Sequence, residues 1–157
     1  MNIVIIDDDQ FKREILKLHI LEIDNTANMK CFSNYQDAIM YLNSNQLFVD
    51  YLFLDWCFPP NSYSKPKYGM GRQVLTNFKY HGIDIKTIIC SADETFVNSD
   101  DYPFVVGHIL LDSPDELTSK LNDIFNRNIV HEEVKIKEVK PDTGYKRRRS
   151  STPWWMK

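Results

Sequence analysis

Short apolar segments alternate with amphipathic segments along most of this 157-residue chain. Residues 2–6 are almost wholly apolar and β-branched, a pattern typical of a strand that is covered on both faces in a parallel sheet. From Gln10 to Leu21, apolar residues return at three- and four-residue spacing, which predicts an amphipathic helix. Because parallel neighbours need crossover connections and these are helical, the alternation favours a doubly wound α/β fold.

The same alternation continues to residue 127. We predict further strands near 28–32, at 50–55, at 86–90 and at about 104–111, with helices near 35–44, at 70–81 and at 115–127. Five such strands predict a parallel sheet of the flavodoxin-like type. Residues 93–103 are rich in Asp, Asn and Ser and lack an amphipathic repeat, so we predict that the fourth helix of the series is degenerate.

In the first helix we expect the apolar positions to face the core and the charged positions to face solvent. The apolar set is Phe11, Ile15, Leu16, Leu18 and Ile20 or Leu21, and the charged set is Lys12, Arg13, Lys17 and Glu22.

Three prolines within residues 56–69 predict a long loop that contains neither helix nor strand. This loop is expected to lie over the carboxyl edge of the sheet. Trp56 and Phe58 come directly after Asp55 in the sequence, and we expect them to restrict access to it.

Two of the apolar segments end in carboxylates. The residues concerned are Asp7, Asp8 and Asp9 after the first strand and Asp55 at the end of the third. An unpaired buried charge is strongly unfavourable, whereas a divalent cation satisfies several carboxylates together. Ligands of open α/β sheets collect at the carboxyl ends of the strands, where Ser91 also falls. We therefore predict a site at this edge that suits Mg²⁺, a cation that prefers oxygen ligands.

The charge is divided unevenly along the chain. The formal net charge is −3, but residues 1–130 carry −7 and residues 131–157 carry +4. We predict one domain at residues 1–127 and a basic, disordered tail at residues 128–157, because the tail has too little aliphatic content to fold alone.

Cysteine content and hydropathy indicate the cellular compartment. Cys31, Cys57 and Cys90 are odd in number and lack the spacing of a zinc motif, which favours a reducing environment. No basic-then-apolar leader opens the chain, and no apolar run approaches the roughly 18 residues of a membrane span. We expect a soluble, cytoplasmic protein.

An ordered set of residues resembles the receiver domain of two-component response regulators. The resemblance covers roughly residues 1–127, and its specificity comes from the order and spacing of the parts. The matching residues are Asp7 and Asp8 after the first strand, Asp55 ending the third, Pro59 four residues beyond it, Gly71 with Val74 and Leu75 opening the third helix, Ser91 and Ala92 ending the fourth strand, and Pro114 after the fifth.

The resemblance implies a role for each site residue. It implies that Asp55 is the phosphoacceptor, that Asp7, Asp8, Asp55 and the backbone carbonyl of Cys57 hold Mg²⁺, and that Ser91 contacts the phosphoryl group. Attack by a carboxylate on a phosphoryl group needs in-line positioning and cancellation of charge, both of which a metal supplies. It further implies a signalling module rather than an enzyme, with a histidine kinase or phosphotransfer protein as partner.

The chain also departs from the family pattern. Receivers have a lysine just before the proline that follows the fifth strand, and here Ser113 stands at that place with Asp112 beside it. Leu110 takes the place of the usual aromatic switch residue. One alternative is therefore a pseudo-receiver, an interaction module that works without phosphorylation through its remodelled face and its tail.

Two further interpretations of the acidic cluster stay open. One of its aspartates can cap the first helix, because Asp is favoured at a helix N-cap. Asp7 and Asp9, with Ser91 after a later strand, also resemble weakly the haloacid-dehalogenase-like phosphatases, in which the first Asp attacks phosphate and the second is the acid/base. Asp55 has no role in that second interpretation.

The tail carries a basic run and a tryptophan pair. The residues are Arg147, Arg148 and Arg149, followed by Trp154 and Trp155. Exposed tryptophans suit the groove of a protein partner, and the basic run also permits binding of nucleic acid. Packing of the tail on its own domain or on a second copy is a further alternative. Since no DNA-binding or catalytic segment is visible, we expect a stand-alone receiver that acts by protein contact.

Overall fold

Five parallel strands form the central sheet of the computed structural model, which describes residues 1–91, 97, 100–111 and 116–127. In chain order the elements are β1 (Asn2–Ile6), α1 (Gln10–Ile23), β2 (Asn28–Phe32), α2 (Tyr35–Asn45), a 3₁₀ turn (Gln46–Phe48), β3 (Tyr51–Asp55), β4 (Cys57–Phe58), β5 (Lys67–Tyr68), α3 (Met70–His81), β6 (Lys86–Ser91), β7 (Val105–Leu110) and α4 (116–127). The strand order is β2-β1-β3-β6-β7. The predicted doubly wound, five-stranded parallel sheet is confirmed.

The register of the sheet aligns the strand ends that carry the carboxylates. Ile6 of β1 pairs with Leu54 of β3, so the residues that follow, Asp7 and Asp55, are level with each other at the carboxyl edge. Asp55 in turn pairs with Cys90 of β6. The pairing of β6 with β7 differs from the other pairings of this sheet, because its register shifts at Thr87/Ile88.

Helices cover both faces of the sheet. On one face, α2 and α3 pack against the even-numbered side chains of β3, Leu52 and Leu54. On the other face, α1 and α4 pack against the odd-numbered ones, Tyr51 and Phe53. Because successive side chains of a strand point to opposite faces, one buried strand supplies both halves of the core.

The core-facing side of α1 is narrower than its sequence predicts. Leu16 and Ile20 are buried and Ile15 is partly buried, whereas Phe11 is 73% and Leu18 is 64% exposed. At 3.6 residues per turn, Phe11 lies about 140° around the helix from Leu16, beyond the width of the stripe that meets the sheet. The prediction that Phe11 and Leu18 face the core is wrong.

The segment after Asp55 contains strand, contrary to the predicted loop. β4 pairs antiparallel with β5, with Cys57 opposite Tyr68 and Phe58 opposite Lys67. The three prolines do not interrupt this ladder, because all of them lie between the paired residues. The backbone N–H groups of Tyr35 and Gln36, in the first turn of α2, donate to carbonyls of this hairpin, those of Pro59 at 2.9 Å and Pro60 at 3.0 Å.

Several predictions concern segments that are described in part or not at all. Between β6 and β7, the described residues, Val97 and 100–104, contain no helix; the rest of the degenerate fourth helix lies outside the described residues. Met1–Phe125 forms one unit and Asn126–Lys157 another, and of the second the structure describes residues 126–127, the end of α4. The boundary at 127/128 stays a prediction. None of the described helices is long and apolar enough to cross a membrane.

Candidate functional site

Three carboxylates converge at the carboxyl edge of β1 and β3. One oxygen each of Asp7, Asp8 and Asp55 lies within 4.8 Å of the others. Asp7 is 3% and Asp55 is 6% exposed, and Asp8 is partly buried. The parallel register brings together residues almost fifty positions apart, as the sequence predicts.

Hydrogen bonds fix both the backbone and the side chain of Asp7. Its N–H donates to the Phe32 carbonyl at 3.1 Å, which continues the β1–β2 pairing beyond the strand. Its Oδ1 accepts from the N–H of Asp9 at 2.8 Å, and its carbonyl accepts from the guanidinium of Arg13 at 2.6 Å. These contacts fix the direction of the carboxyl group.

Asp9 has a different role from its two neighbours. It is the N-cap of α1, and its Oδ1 accepts from the N–H groups of Phe11 at 2.8 Å and Lys12 at 3.3 Å. Capping therefore accounts for one aspartate of the three and leaves Asp7 and Asp8 for the cluster. Because Asp9 is occupied at the helix end and lies outside the cluster, the geometry does not favour the phosphatase interpretation, which needs it as acid/base.

Asp55 lies at the junction of the sheet, the hairpin and α3. Its Oδ2 accepts from the N–H of Cys57, the first residue of β4, at 3.3 Å. Its backbone carbonyl lies where a Cβ on Gly71 would approach to 2.7 Å, and the ring of Trp56 lies at 2.8 Å from the same point. A side chain at residue 71 has no space there, so glycine allows α3 to begin directly against the end of β3.

Burial raises the pKa of two of the three carboxyl groups. Burial, followed by the charge of Asp55, raises the pKa of Asp7 to about 7. Burial also raises the pKa of Asp55, and the N–H donors of Trp56 and Cys57 and the charge of Lys12 act against it. A bound cation favours the charged form of both groups, and a clustered set of oxygen donors fits the chemistry of Mg²⁺.

Ser91 lies at the same edge, on the strand beside Asp55. It ends β6, one residue beyond the Cys90 that pairs with Asp55, and it is 4% exposed. Its Oγ lies 3.5 Å from Nε2 of His108 on β7. The sequence did not single out His108, because nothing in its local pattern shows that β7 places it beside Ser91.

Trp56 and Phe58 do not obstruct the site as predicted. They are 3% and 0% exposed, respectively, and belong to the core on the α2–α3 face. Their burial follows from the β4–β5 hairpin, which turns the chain back over this face. The expectation that they restrict access to Asp55 is wrong.

Lys12 and Arg13 are the site residues that sequence analysis assigned to solvent. Both are partly buried. Arg13 donates to the Asp7 carbonyl, and the charge of Lys12 acts against the upward pKa shifts of Asp7 and Asp55. Their position in the first turn of α1 was the available signal. A positive charge near a helix N-terminus interacts unfavourably with the helix dipole, so its presence there indicates a contact outside the helix.

Among the described residues, no other predicted site side chain joins the carboxylate cluster. Cys57 adjoins Asp55, and the metal role of its carbonyl stays a prediction. Ser113 and the tail residues lie outside the described residues; those of the tail are Arg147, Arg148, Arg149, Trp154 and Trp155.

The fold is similar to that of solved receiver domains. The signal receiver domain of a LuxO-type repressor protein from Vibrio parahaemolyticus superposes with a TM-score of 0.62 at 14% identity, over 85% of this chain and 96% of that one. RcsB from Salmonella enterica, bound to the promoter rprA in the presence of the phosphomimetic BeF₃⁻, gives 0.60 at 19%, over 88% and 68%. A response regulator receiver domain from Clostridium thermocellum gives 0.56 at 18%, over 83% and 98%.

The chain has the receiver-domain fold. No family model matches the sequence, and no curated protein matches it. The receiver fold is therefore established by the course of the backbone at an identity of 14–19% to these structures. Within it, Asp7, Asp8 and Asp55 lie together where the resemblance in sequence implied.

Proposed function

We propose that this protein is a divergent response-regulator receiver that accepts a phosphoryl group on Asp55 and acts through protein contact. The observation that carries the proposal is the convergence of three carboxylates, two of them buried, at the carboxyl edge of a receiver-type sheet. Buried carboxylates lower the stability of the fold unless a cation or protonation offsets their charge, and such groups cluster at functional sites. Phosphoryl transfer explains both the cluster and its position.

Asp7, Asp8 and Asp55 would hold Mg²⁺ through their carboxylates, and Cys57 through its carbonyl. When bound, the metal supplies positive charge against the phosphoryl oxygens and orients them. The raised pKa of Asp7 supports this assignment, since a buried carboxyl group beside a second one gains most from a cation.

In the proposed step, an ionised oxygen of Asp55 attacks the phosphorus of a small donor such as acetyl phosphate. A new bond forms between that oxygen and phosphorus, while the bond from phosphorus to the acetyl oxygen breaks and acetate leaves with the electron pair. The product is an acyl phosphate on Asp55. The Cys57 N–H, which contacts Asp55 Oδ2, helps to orient the attacking carboxylate.

Ser91 is proposed to donate its hydroxyl to a phosphoryl oxygen. It is buried at the end of the strand next to Asp55, so its hydroxyl lies at the carboxyl edge of the sheet and is screened from bulk water. A hydrogen bond to a charged acceptor in such surroundings is stronger than one at the surface.

The test is phosphorylation by acetyl phosphate in the presence of Mg²⁺, followed by intact mass. We expect the wild-type chain to gain one phosphoryl group and Asp55→Asn to gain none. Asp9→Asn is the matched control: it makes the same chemical change next to the cluster but outside it, and Asn is as good an N-cap as Asp. Phosphorylation of Asp55→Asn, or its loss in Asp9→Asn, would contradict the assignment.

A second candidate is a pseudo-receiver that binds its partner without phosphate. The replacement of the family lysine by Ser113 and of the aromatic switch residue by Leu110 favours it. It predicts no mass gain and no response to BeF₃⁻ with Mg²⁺ in the wild-type chain. Hydrolysis of p-nitrophenyl phosphate that is lost in Asp7→Asn and kept in Asp55→Asn would instead point to phosphatase chemistry.

The partner is proposed to be a protein, contacted through the tail or the segment between β6 and β7. A phosphoryl donor of the histidine-kinase type and a nucleic acid bound by the basic run are the other candidates. Deletion of residues 141–157 separates them: binding of nucleic acid should depend steeply on salt and vanish with the tail, whereas phosphorylation of Asp55 should persist.

A further inference from the structure

The segment of residues 56–83 differs in charge from the rest of the domain. Residues 1–130 as a whole carry a net charge of −7, but this segment contains no carboxylate and four cations. The cations are Lys65, Lys67, Arg72 and Lys79. The segment forms the β4–β5 hairpin and α3. A local reversal of sign in an acidic domain gives this surface an attraction for anions.

Three of the four cations have no carboxylate partner among the described residues. Lys79 lies 3.8 Å from Asp101, and both side chains are more than half exposed. Lys65, Lys67 and Arg72 are exposed and make no ion pair within the described part of the chain. The uncompensated positive charge therefore lies at the hairpin and the first turn of α3, and Asp101 limits it towards the end of that helix.

Two exposed tyrosines enclose the lysines of the hairpin. Tyr63 is 98% and Tyr68 is 71% exposed. An exposed ring adds little buried apolar area to the fold, whereas its face can stack on a planar group of a ligand. We call these two tyrosines, together with Lys65, Lys67 and Arg72, the hairpin patch.

The hairpin is held in place at its turn and at its base. At the turn, Oδ1 of Asn61 accepts from the N–H of Tyr63 at 3.0 Å and from the hydroxyl of Ser64 at 2.8 Å. At the base, the carbonyls of Pro59 and Pro60 accept from backbone N–H groups in the first turn of α2 at 2.9 Å and 3.0 Å. A fixed turn loses little conformational freedom when it binds a ligand, so Tyr63 is presented as a pre-formed contact.

The hairpin continues directly into the first turn of α3. The N–H of Gly69 donates to the carbonyl of Trp56 at 3.1 Å, which joins the end of β5 to the start of β4. The guanidinium of Arg72 lies 5.9 Å from the centre of the Trp56 ring. Trp56 precedes Cys57, and Cys57 pairs with Tyr68. Arg72 is therefore held beside the end of the ladder that carries Tyr68.

Cations interleaved with exposed aromatic rings match the chemistry of a single-stranded nucleic acid. Its phosphates pair with Lys and Arg, and its unpaired bases stack on aromatic rings. An acidic protein segment offers carboxylates to the cations but no planar group of its own to the tyrosines.

We propose that the hairpin patch binds single-stranded nucleic acid. Tyr63 and Tyr68 stack on bases, and the three cations of the patch contact phosphates. This site belongs to the domain and is separate from the basic run of the tail. It adds a ligand to the proposed function and does not depend on phosphorylation.

The experiment measures, by fluorescence anisotropy, the binding of a labelled oligo-dT of about 20 nucleotides to the full chain, a length that exceeds one site of this kind. A second set of chains carries Arg147→Gln, Arg148→Gln and Arg149→Gln, which removes the basic run of the tail as a competing site. Every comparison is made in both sets.

Each change in the patch has a matched control. Tyr63→Leu is compared with Tyr63→Phe and with Tyr80→Leu, since Tyr80 is 85% exposed near the other end of α3. Lys65→Gln with Lys67→Gln is compared with Lys17→Gln with Lys120→Gln, which changes the net charge equally on α1 and α4, the helices of the other face. The side chains changed in the hairpin are exposed, so the fold should persist, as circular dichroism can show.

Tyr63→Leu should weaken binding about tenfold, as expected for the loss of one stacked base, whereas Tyr63→Phe and Tyr80→Leu should stay within about twofold of the wild-type chain. The hairpin lysine pair should weaken binding and lower the slope of log affinity against log salt by about 1.4, the value for two phosphate contacts with a single strand. The control lysine pair should leave this slope unchanged. A duplex of the same length should bind more weakly, because its bases are already stacked.

Several results would overturn the inference. They are absence of binding by the wild-type chain, loss of binding only with the three tail arginines, tighter binding of the duplex, and equal effects of the hairpin variants and their controls. An effect of the hairpin lysines without an effect of Tyr63→Leu also overturns it and favours an acidic protein partner, which displacement of the oligonucleotide by polyglutamate would then show. Phosphorylation of Asp55 by acetyl phosphate should persist in every variant, so its absence in the wild-type chain bears on the proposed function alone.

Discussion

The two halves of the sheet differ in how closely they keep the receiver pattern. In the first half, formed by β2, β1 and β3, the register is unbroken and places Asp7 level with Asp55. In the second half, formed by β6 and β7, the register shifts at Thr87/Ile88, and Leu110 stands where receivers have an aromatic residue. The half that holds the carboxylates is regular, and the half that would respond to phosphorylation under the proposed function is altered.

Under the proposed function, acceptance of a phosphoryl group and the response to it depend on different halves of the sheet. The first needs carboxylates fixed at one edge, which β1 and β3 supply through their own pairing. The second would depend on contacts around Ser91 and β7, where Ser91 Oγ lies 3.5 Å from Nε2 of His108. A chain can therefore keep the first property while it replaces the second.

The largest expected difference between the halves concerns two glycines. A Cβ at Gly71 would lie 2.7 Å from the backbone carbonyl of Asp55, whereas a Cβ at Gly107 would lie 2.6 Å from the end of the Ile124 side chain. Because backbone cannot yield and a side-chain tip can, Gly71→Ala should lower the free energy of unfolding by about 2–3 kcal/mol and Gly107→Ala by about 1 kcal/mol or less. Urea denaturation measures both. Equal losses would show that the two halves are packed with the same rigidity.

The second prediction concerns the pH dependence of Mg²⁺ binding at the carboxylates of the first half. Since the pKa of Asp7 is raised to about 7, the folded chain without metal binds a proton there that Mg²⁺ must displace. Below about pH 7, affinity for Mg²⁺ should fall by up to about tenfold per pH unit, and above it the affinity should level off. Calorimetric titration across this range measures the effect.

Asp7 also affects stability in the absence of metal. The protonated carboxyl group of Asp7 stabilises the fold relative to the ionised one. This contribution is complete below the pKa of the unfolded chain, near 3.8, and is lost as the pH rises through about 7. Asp7→Asn should therefore stabilise the metal-free chain by about 1–2 kcal/mol at about pH 8 and by less under acidic conditions. Asp9→Asn is the control and should change neither the free energy of unfolding at about pH 8 nor its dependence on pH. A pH-independent difference between Asp7→Asn and the wild-type chain would contradict the raised pKa.

The third prediction tests the link between the halves at Ser91. If its hydroxyl contacts the phosphoryl group, Ser91→Ala should weaken BeF₃⁻ binding about tenfold, the value of one hydrogen bond to a charged group. Mg²⁺ binding should not change, because Ser91 is outside the carboxylate cluster. Ser62→Ala, in the exposed part of the hairpin, serves as control. Unchanged BeF₃⁻ affinity would mean that β6 contributes no group to the site.

The smallest expected effect lies on the β7 side, between α1 and α4. Oγ of Thr118 donates to Glu22 at 2.8 Å and lies 2.7 Å from Nδ1 of His19. Thr118→Val should lower the free energy of unfolding by about 0.5–1 kcal/mol, because these hydrogen bonds are partly exposed. Binding of BeF₃⁻ and Mg²⁺ should stay at the wild-type level. A loss of ligand affinity would show that α4 and the site are coupled.

Local patterns predict this fold well where each element depends on its own residues. The strands that end at Asp7 and Asp55 are apolar on both faces, so their burial and their common edge follow from the sequence. The β4–β5 pairing does not follow, since it joins residues about ten positions apart across a proline-containing turn. The exposure of Phe11 also does not follow, because periodicity identifies an apolar face without showing how much of it the sheet covers.

The sequence by itself determined the order of strands and helices, and therefore which edge of the sheet receives the carboxylates. Only the tertiary structure decided how those carboxylates are used: Asp9 caps α1, Asp7 and Asp8 join Asp55, and Lys12 acts on the cluster. The physical reason is range. Hydrophobic periodicity is a property of neighbouring residues, whereas charge interaction depends on distances through space that only the packed strands establish.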